Sequence, residues 1–178
     1  MAQCKIIALH GPAGVGKTAV AGKLCRKLGA KSARVSVDYL RDMLCMHYGS
    51  GKMSDRYITL AKEMVPEIVK DLKKRGYHVV VEIAPPTLED KGKTDHWLAL
   101  QLKALGGKTF LLHAPIDVVL KRNRKRKGEF GQGNLGSALT RRLHAYCEKY
   151  LDHNDYVVID TSRFGGDKTA SVIASYCR

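Results

Sequence analysis

"GPAGVGKT", residues 11–18, follows directly on the apolar run "KIIALH", residues 5–10. Gly11, Gly16, Lys17 and Thr18 match the pattern G-x-x-x-x-G-K-[ST], which belongs between a strand and a helix. Each part has a physical reason. The glycines let backbone wrap closely around phosphate and aim its N–H groups inward. Pro12, Ala13, Gly14 and Val15 fill the turn between the fixed positions, so all of residues 11–18 are expected to touch a nucleotide triphosphate. The helix that starts at the loop adds its positive dipole end. Lys17 is expected to reach the β- and γ-phosphates, and the Thr18 hydroxyl to ligate magnesium. The expected donor is ATP with Mg2+.

Outward from this loop, apolar runs alternate with helical patterns. Strands are expected at "CKIIALH", "ARVSV", "HVVVEIA", "KTFLLHA" and "DYVVIDTS". Helices are expected at residues 16–29, 39–49, 54–76, 94–105, 116–127 and 137–152, with a last one from about Lys168. Gly29, Gly49 and Gly76 are the stops, and Pro66 predicts a kink or a new helix start inside 54–76. The continuous "HVVVEIA" reads as a strand covered on both faces. Five strands interleaved with helices predict a parallel sheet in three layers, α/β/α. With 178 residues and no linker, residues 1–178 are expected to form one domain.

Composition excludes other classes. No apolar run approaches the ~20 residues needed to span a bilayer. The first residues read as a strand leading into the loop, not as a signal peptide. Five scattered cysteines without a CxxC, Cys4, Cys25, Cys45, Cys147 and Cys177, suggest reduced thiols and a cytoplasmic protein. The seven histidines show no H-x-x-x-H pair, so spacing alone predicts no zinc site. Trp97, Tyr39 and Tyr57 read as packing residues.

The net charge is +14, and half of it is concentrated. Residues 121–142 carry Lys121, Arg122, Arg124, Lys125, Arg126, Lys127, Arg141 and Arg142 against Glu129 alone, a local +7. Such a patch attracts polyanions or gathers around phosphates. Within it, "KRNRKRKGEFGQGN", residues 121–134, reads as a basic helix followed by a glycine hinge, a lid over a nucleotide. Arg122 and Arg126 share a helix face there and are expected to neutralise charge on a transferring phosphoryl group.

Two acids complete the pattern. Asp38 follows the second strand in "VSVDYLRDM", and Arg41 lies one helical turn on. Strand ends of an open α/β sheet face the ligand crevice. Asp38 is therefore expected to accept a proton from an incoming hydroxyl, and Arg41 to hold an anionic acceptor. The competing use of Asp38 is as a helix N-cap. Glu82, at the end of "VVVE", is expected to bind magnesium through water or to hydrogen-bond the acceptor. Pro85 and Pro86 stiffen the loop behind it. No N-K-x-D guanine reader is present, which argues against a GTPase.

In "GPAGVGKT", "SVDYLR", "VVVE", "LLHAPIDVVLKRNRKR" and "YVVIDTS", taken in that order, the chain resembles the small P-loop kinases grouped around polynucleotide 5′-hydroxyl kinases, chloramphenicol phosphotransferase and zeta toxins. The resemblance covers most of the chain. It implies a nucleoside-kinase-like P-loop fold with a basic lid, and transfer of the γ-phosphate of ATP to an acceptor hydroxyl. It implies that Asp38 serves as general base, that Arg41 contacts the acceptor and that Arg122 and Arg126 are lid arginines. It also brings Thr161 and Ser162, at the end of the fifth strand, near the adenine. Glu82 is closer to the zeta-toxin pattern than to the Asp usual in polynucleotide kinases. The favoured acceptor is a nucleic acid 5′-hydroxyl. The alternatives are a small hydroxylated molecule (an antibiotic, nucleoside or sugar nucleotide) and a nucleic-acid-binding module without phosphotransfer.

Overall fold

The computed structural model describes residues 5–44, 55–85, 95–125 and 135–177. The chain forms β1 (Ile6–His10), α1 (Lys17–Leu28), β2 (Ser32–Ser36), α2 (Val37–Leu44), α3 (Asp55–Lys74), β3 (His78–Glu82), α4 (Asp95–Ala104), β4 (Lys108–His113), α5 (Ile116–Arg124), α6 (Ser137–Glu148), β5 (Tyr156–Asp160) and α7 (Gly166–Ser175). All strand pairs are parallel, in the order β2-β3-β1-β4-β5. The expected five-stranded parallel α/β fold is what the chain adopts.

Strand periodicity explains the layering. Side chains of successive strand residues point to opposite faces. In β1, Ile6 and Ala8 join one core while Ile7 and Leu9 join the other. In β3, Val79 and Val81 take the first face and Val80 the second. The first core also contains Ile58, Ala61, Val65 and Val69 of α3 and Leu98 and Leu102 of α4. The second contains Val20 and Leu24 of α1 and Ala170 and Ile173 of α7. Each fully buried Leu or Ile contributes on the order of 2 kcal/mol of apolar transfer. A strand buried on both faces has no polar alternation to show, and β1 is buried at every position.

Element ends depart from the sequence reading in small ways. α2 begins at Val37, not Tyr39, because Ser36 takes the capping place and its hydroxyl oxygen accepts the Tyr39 N–H at 3.5 Å. Asp38 is therefore free of the cap role. α3 runs unbroken through Pro66, where a kink or new start was expected. Apolar residues on both sides of the proline, Ala61 and Val65 before it and Val69 after it, are fully buried on one stripe, and that packing outweighs one missing backbone hydrogen bond.

This order places the site. β1 and β3 are neighbours, and the connection after β1 runs to β2 beyond β3 while that after β3 runs to β4 beyond β1, so the chain leaves their adjacent carboxyl ends toward opposite sides. A crevice opens at such a switch point. The residues at or just beyond the strand ends are His10, Ser36, Glu82, His113 and Asp160.

Candidate active site

The loop after β1 folds as its glycines dictate. Gly11, Gly14 and Gly16 have φ of 139°, 86° and 109°. A Cβ on Gly11 would lie 2.4 Å from the Leu112 carbonyl oxygen, so only glycine fits against β4. A Cβ on Gly16 would meet nothing within 4 Å, because this residue faces open space at the head of α1. Val15 anchors the loop from inside, 1% exposed. The Lys17 ammonium donates to the carbonyls of Gly11 at 2.6 Å and Pro12 at 3.1 Å. It arches over the loop and sits at the mouth of the cradle, where phosphate oxygens belong.

A cavity of about 600 Å³ spreads from this loop. Gly14, Gly16, Lys17 and Thr18 form its floor, and Asp38, Glu82 and Pro85 line one side. Arg122, Lys125, Thr161 and Phe164 line another. Gly11 and Pro12 support it through the Lys17 bonds.

Glu82 sits at the centre of a polar chain. The Thr18 hydroxyl donates to Glu82 Oε2 at 2.8 Å, and Arg34 Nε donates to Glu82 Oε1. The Arg34 guanidinium also lies 5.0 Å from the ring centroid of Tyr39. Glu82 is 4% exposed, so Arg34 is what balances its buried charge. Thr18 Oγ1 and a carboxylate oxygen beside the phosphate cradle are hard oxygen donors, and they suit Mg2+. A triphosphate suits the open face of Gly16 and the Lys17 ammonium.

Asp38 faces the cavity from the first turn of α2, its carboxylate one-third exposed. Arg41 Nη1 holds Asp38 Oδ1 at 3.1 Å, and Nη2 holds Asp42 Oδ1 at 2.9 Å. Arg41 does not line the cavity. Its guanidinium fastens Asp38 from behind.

Arg122 does not wait free in solvent. Its Nη1 donates to the Val15 carbonyl at 3.3 Å and to Thr161 Oγ1 at 3.0 Å, and its Nη2 to the Thr161 carbonyl at 2.8 Å. Thr161 is 3% exposed, and its hydroxyl lies 3.2 Å from the Val15 carbonyl and 3.0 Å from that of His113. Thr161 therefore braces the loop at the end of β5. Ser162 is exposed and donates through both its N–H and its hydroxyl to Asp160 Oδ1, in a local turn. Arg126, Lys127 and Glu129 lie outside the described residues, as do Cys4, Cys45 and Pro86.

Several contributors had no readable signal. Arg34 sits mid-strand and Asn123 in the middle of a basic run. The Asn123 side chain, 2% exposed, donates to the Leu135 carbonyl at 2.6 Å and to Thr140 Oγ1 at 3.1 Å. It also accepts the Leu135 N–H at 3.3 Å. It thereby clasps both ends of the segment expected to form the lid. Beneath the loop, His10 and Asp95 form a fully buried pair. The Tyr146 hydroxyl donates to Asp95 Oδ1 at 2.7 Å. Burial alone would raise the Asp95 carboxyl, but His10, Tyr146 and Lys62 outweigh it and hold it below its ordinary value. Burial, with the Tyr150 and Asp95 contacts, pushes the Tyr146 hydroxyl far above the usual phenol range, so it stays a neutral donor.

No curated protein sequence matches the chain. Solved structures do. The tunicamycin resistance protein of Deinococcus radiodurans aligns with a TM-score of 0.63 at 22% identity, over 97% of this chain and 95% of that one. A gluconokinase from Sinorhizobium meliloti 1021 aligns with a TM-score of 0.65 at 17% identity, over 98% and 94%. A chain of the Pnkp1/Rnl/Hen1 RNA repair complex aligns with a TM-score of 0.60 at 21% identity, over 84% of this chain and 46% of that one. At these identities the likeness is one of fold. The sequence model of the AAA domain matches residues 6–134, which spans β1, the glycine loop, both acids and the basic run. The chain belongs to the AAA domain family, and its fold is the α/β fold of the P-loop kinases.

Proposed function

We propose that the protein is an ATP- and magnesium-dependent kinase that moves the γ-phosphate of ATP onto a hydroxyl, preferentially the 5′-hydroxyl of a polynucleotide. One observation carries the phosphotransfer reading: Asp38 and Glu82 line the same cavity as Lys17, Thr18 and Arg122. A phosphate cradle facing a carboxylate across a crevice is a donor side and an acceptor side. A module that only bound nucleotide and nucleic acid would have no use for a base at Asp38.

The roles follow from position. Residues 11–18 hold the triphosphate, with Lys17 moving from the Gly11 and Pro12 carbonyls onto phosphate oxygens. Thr18 and Glu82 would hold Mg2+, which neutralises charge across the phosphates. Asp38, oriented by Arg41, accepts the proton of the attacking hydroxyl. Arg122, and Arg126 beside it in sequence, meet the charge that spreads over the transferring group. Thr161 shapes the nucleotide end of the cavity, and Ser162 contacts the base only if its turn opens. Residues 1–178 act as one kinase unit. No helix among the described residues is long and apolar enough to cross a membrane, and the described cysteines, Cys25, Cys147 and Cys177, are free thiols. Both fit a cytoplasmic setting.

The polynucleotide preference rests on charge. Lys121, Arg124, Lys125, Arg141 and Arg142 are all exposed, and Lys125 reaches the cavity rim. One of the fold relatives belongs to an RNA repair complex. A second reading, a small hydroxylated acceptor, is favoured by Arg41, whose guanidinium is already engaged by Asp38 and Asp42. Incubation with γ-labelled ATP and a 5′-hydroxyl oligonucleotide separates them. Label on the oligonucleotide supports the first reading. Labelling of small alcohols alone supports the second, and no transfer to any hydroxyl removes the kinase reading. Oligonucleotide affinity should also fall steeply with salt, by about 0.7 log units per log unit of salt for each phosphate contacted on a single strand.

A further inference from the structure

We propose that His113, His144 and Glu148 form a binding site for one divalent transition-metal ion of the zinc class, separate from the magnesium position at Thr18 and Glu82. Their spacing in sequence shows no zinc pattern. The fold assembles them at the end of β4 and on one face of α6, where residues four apart are neighbours.

The geometry is near that of an occupied site. His144 Nδ1 lies 3.5 Å from Glu148 Oε1, and His113 Nε2 lies 3.9 Å from the same oxygen. All the ligand atoms fall within 4.8 Å of one another. A tetrahedral zinc ion with bonds of about 2.1 Å sets its ligands about 3.4 Å apart. The two nitrogen-to-carboxylate separations are within about half an ångström of that value, and the two imidazoles, within 4.8 Å of each other, need close by at most about 1.4 Å, a movement within reach of side-chain rotation.

The hydrogen-bond chemistry points the same way. His144 Nε2 sits 2.8 Å from the Ala114 carbonyl, which only accepts, so Nε2 carries the proton. In the neutral ring, Nδ1 then offers a lone pair toward Glu148. A backbone carbonyl on the far nitrogen is how ligating histidines are commonly oriented. His113 Nε2 is buried and has no hydrogen-bond partner. The His113 carbonyl is fixed in turn by the Thr161 N–H at 2.7 Å. Two imidazoles and one carboxylate suit zinc, nickel or copper rather than magnesium, which takes oxygen ligands.

A second trio, His96, His153 and Asp155, has similar spacing but the wrong bonding. His153 Nδ1 already accepts the Asp155 N–H at 3.3 Å, and Lys103 Nζ holds Asp155 Oδ1. That trio provides an internal control.

A metal at His113 would join α6 to the end of β4. From there the Thr161 brace leads to Val15 of the phosphate loop. Occupancy should therefore stiffen the back of the nucleotide cavity.

The test is titration of chelator-stripped protein with Zn2+ against a chromophoric competitor, in excess Mg2+. One equivalent should bind, and Co2+ should give the intense visible bands of a tetrahedral site. Glu148→Gln, at a half-exposed position that folding tolerates, and His113→Ala should each weaken binding at least tenfold. His96→Ala should leave it unchanged. Absence of stoichiometric binding, or binding that is lost in His96→Ala and kept in Glu148→Gln, overturns the assignment. The readout is metal affinity, so it stands apart from any failure of the kinase assay.

Discussion

The Thr18 hydroxyl donates to Glu82 Oε2 at 2.8 Å across the gap between α1 and β3. These oxygens belong to residues far apart in sequence, yet they meet beside the phosphate cradle, and Arg34 holds the other carboxylate oxygen. Glu82 thus meets the Thr18 hydroxyl with one oxygen and its own counter-ion with the other.

Glu82→Gln keeps the shape and removes the charge. The magnesium concentration giving half-maximal turnover should rise by roughly 10- to 100-fold. Arg34 also loses its buried partner, so a drop in stability should accompany the change. Turnover measured against Mg2+ concentration checks this. An unchanged magnesium dependence would remove Glu82 from the cation site.

Lys17→Ala removes the ammonium from the loop. Turnover should fall on the order of 10²- to 10³-fold, as for loss of one charge-stabilising donor. Stability should change far less than turnover, since the Lys17 ammonium bonds carbonyls of its own loop, those of Gly11 and Pro12. Turnover and thermal unfolding measured on the same sample separate these effects.

Asp38 and Arg41 make a paired prediction, because the guanidinium holds the carboxylate at 3.1 Å. Asp38→Asn should retain ATP binding and lose roughly 10²- to 10⁴-fold in transfer. If Arg41 acts by aiming Asp38, Arg41→Ala lowers kcat with a small change in acceptor KM. If it holds an acceptor anion, KM rises and kcat stays. Steady-state kinetics with acceptor varied at saturating ATP reads the difference.

Asp95 links the loop to acid stability. His10, Tyr146 and Lys62 hold its folded carboxyl below the ordinary value despite burial. A lowered folded value adds stability above the unfolded pKa, about 3.9, and that stability is lost as pH falls through the folded value. Asp95→Asn should cost about 3–5 kcal/mol at neutral pH. The gap to the parent protein should shrink only below about pH 4. Urea unfolding of both proteins from neutral to acid pH measures it. A gap independent of pH would mean that charge plays no part.

Much of this molecule is legible in its letters. The glycine loop has fixed spacing, and β1, β3 and β4 are continuous apolar runs, so local order in sequence is local order in space. Asp38 and Glu82 were readable because strand ends in a parallel sheet converge on one crevice. The roles of Thr161 and Arg41 were harder. Thr161 stands where a base contact is expected, but its hydroxyl turns inward to Val15 and His113, a choice made by packing across three segments. Arg34, Asn123 and the His10–Asp95 pair act through partners 48, 12 and 85 positions away. No period or motif encodes such distances. Pro66 misled because helix propensity is local, while the buried stripe around it belongs to the whole core.

The Thr161 brace also sets an order of assembly. The phosphate loop is synthesised well before β5, yet its Val15 carbonyl is held by a hydroxyl 146 residues later. Domains fold as units while the chain emerges amino end first. A nascent chain that stops before β5 carries the whole nucleotide motif without the strap that finishes it. The loop is written before the strap that completes it, so its finished shape is tied to the arrival of β5.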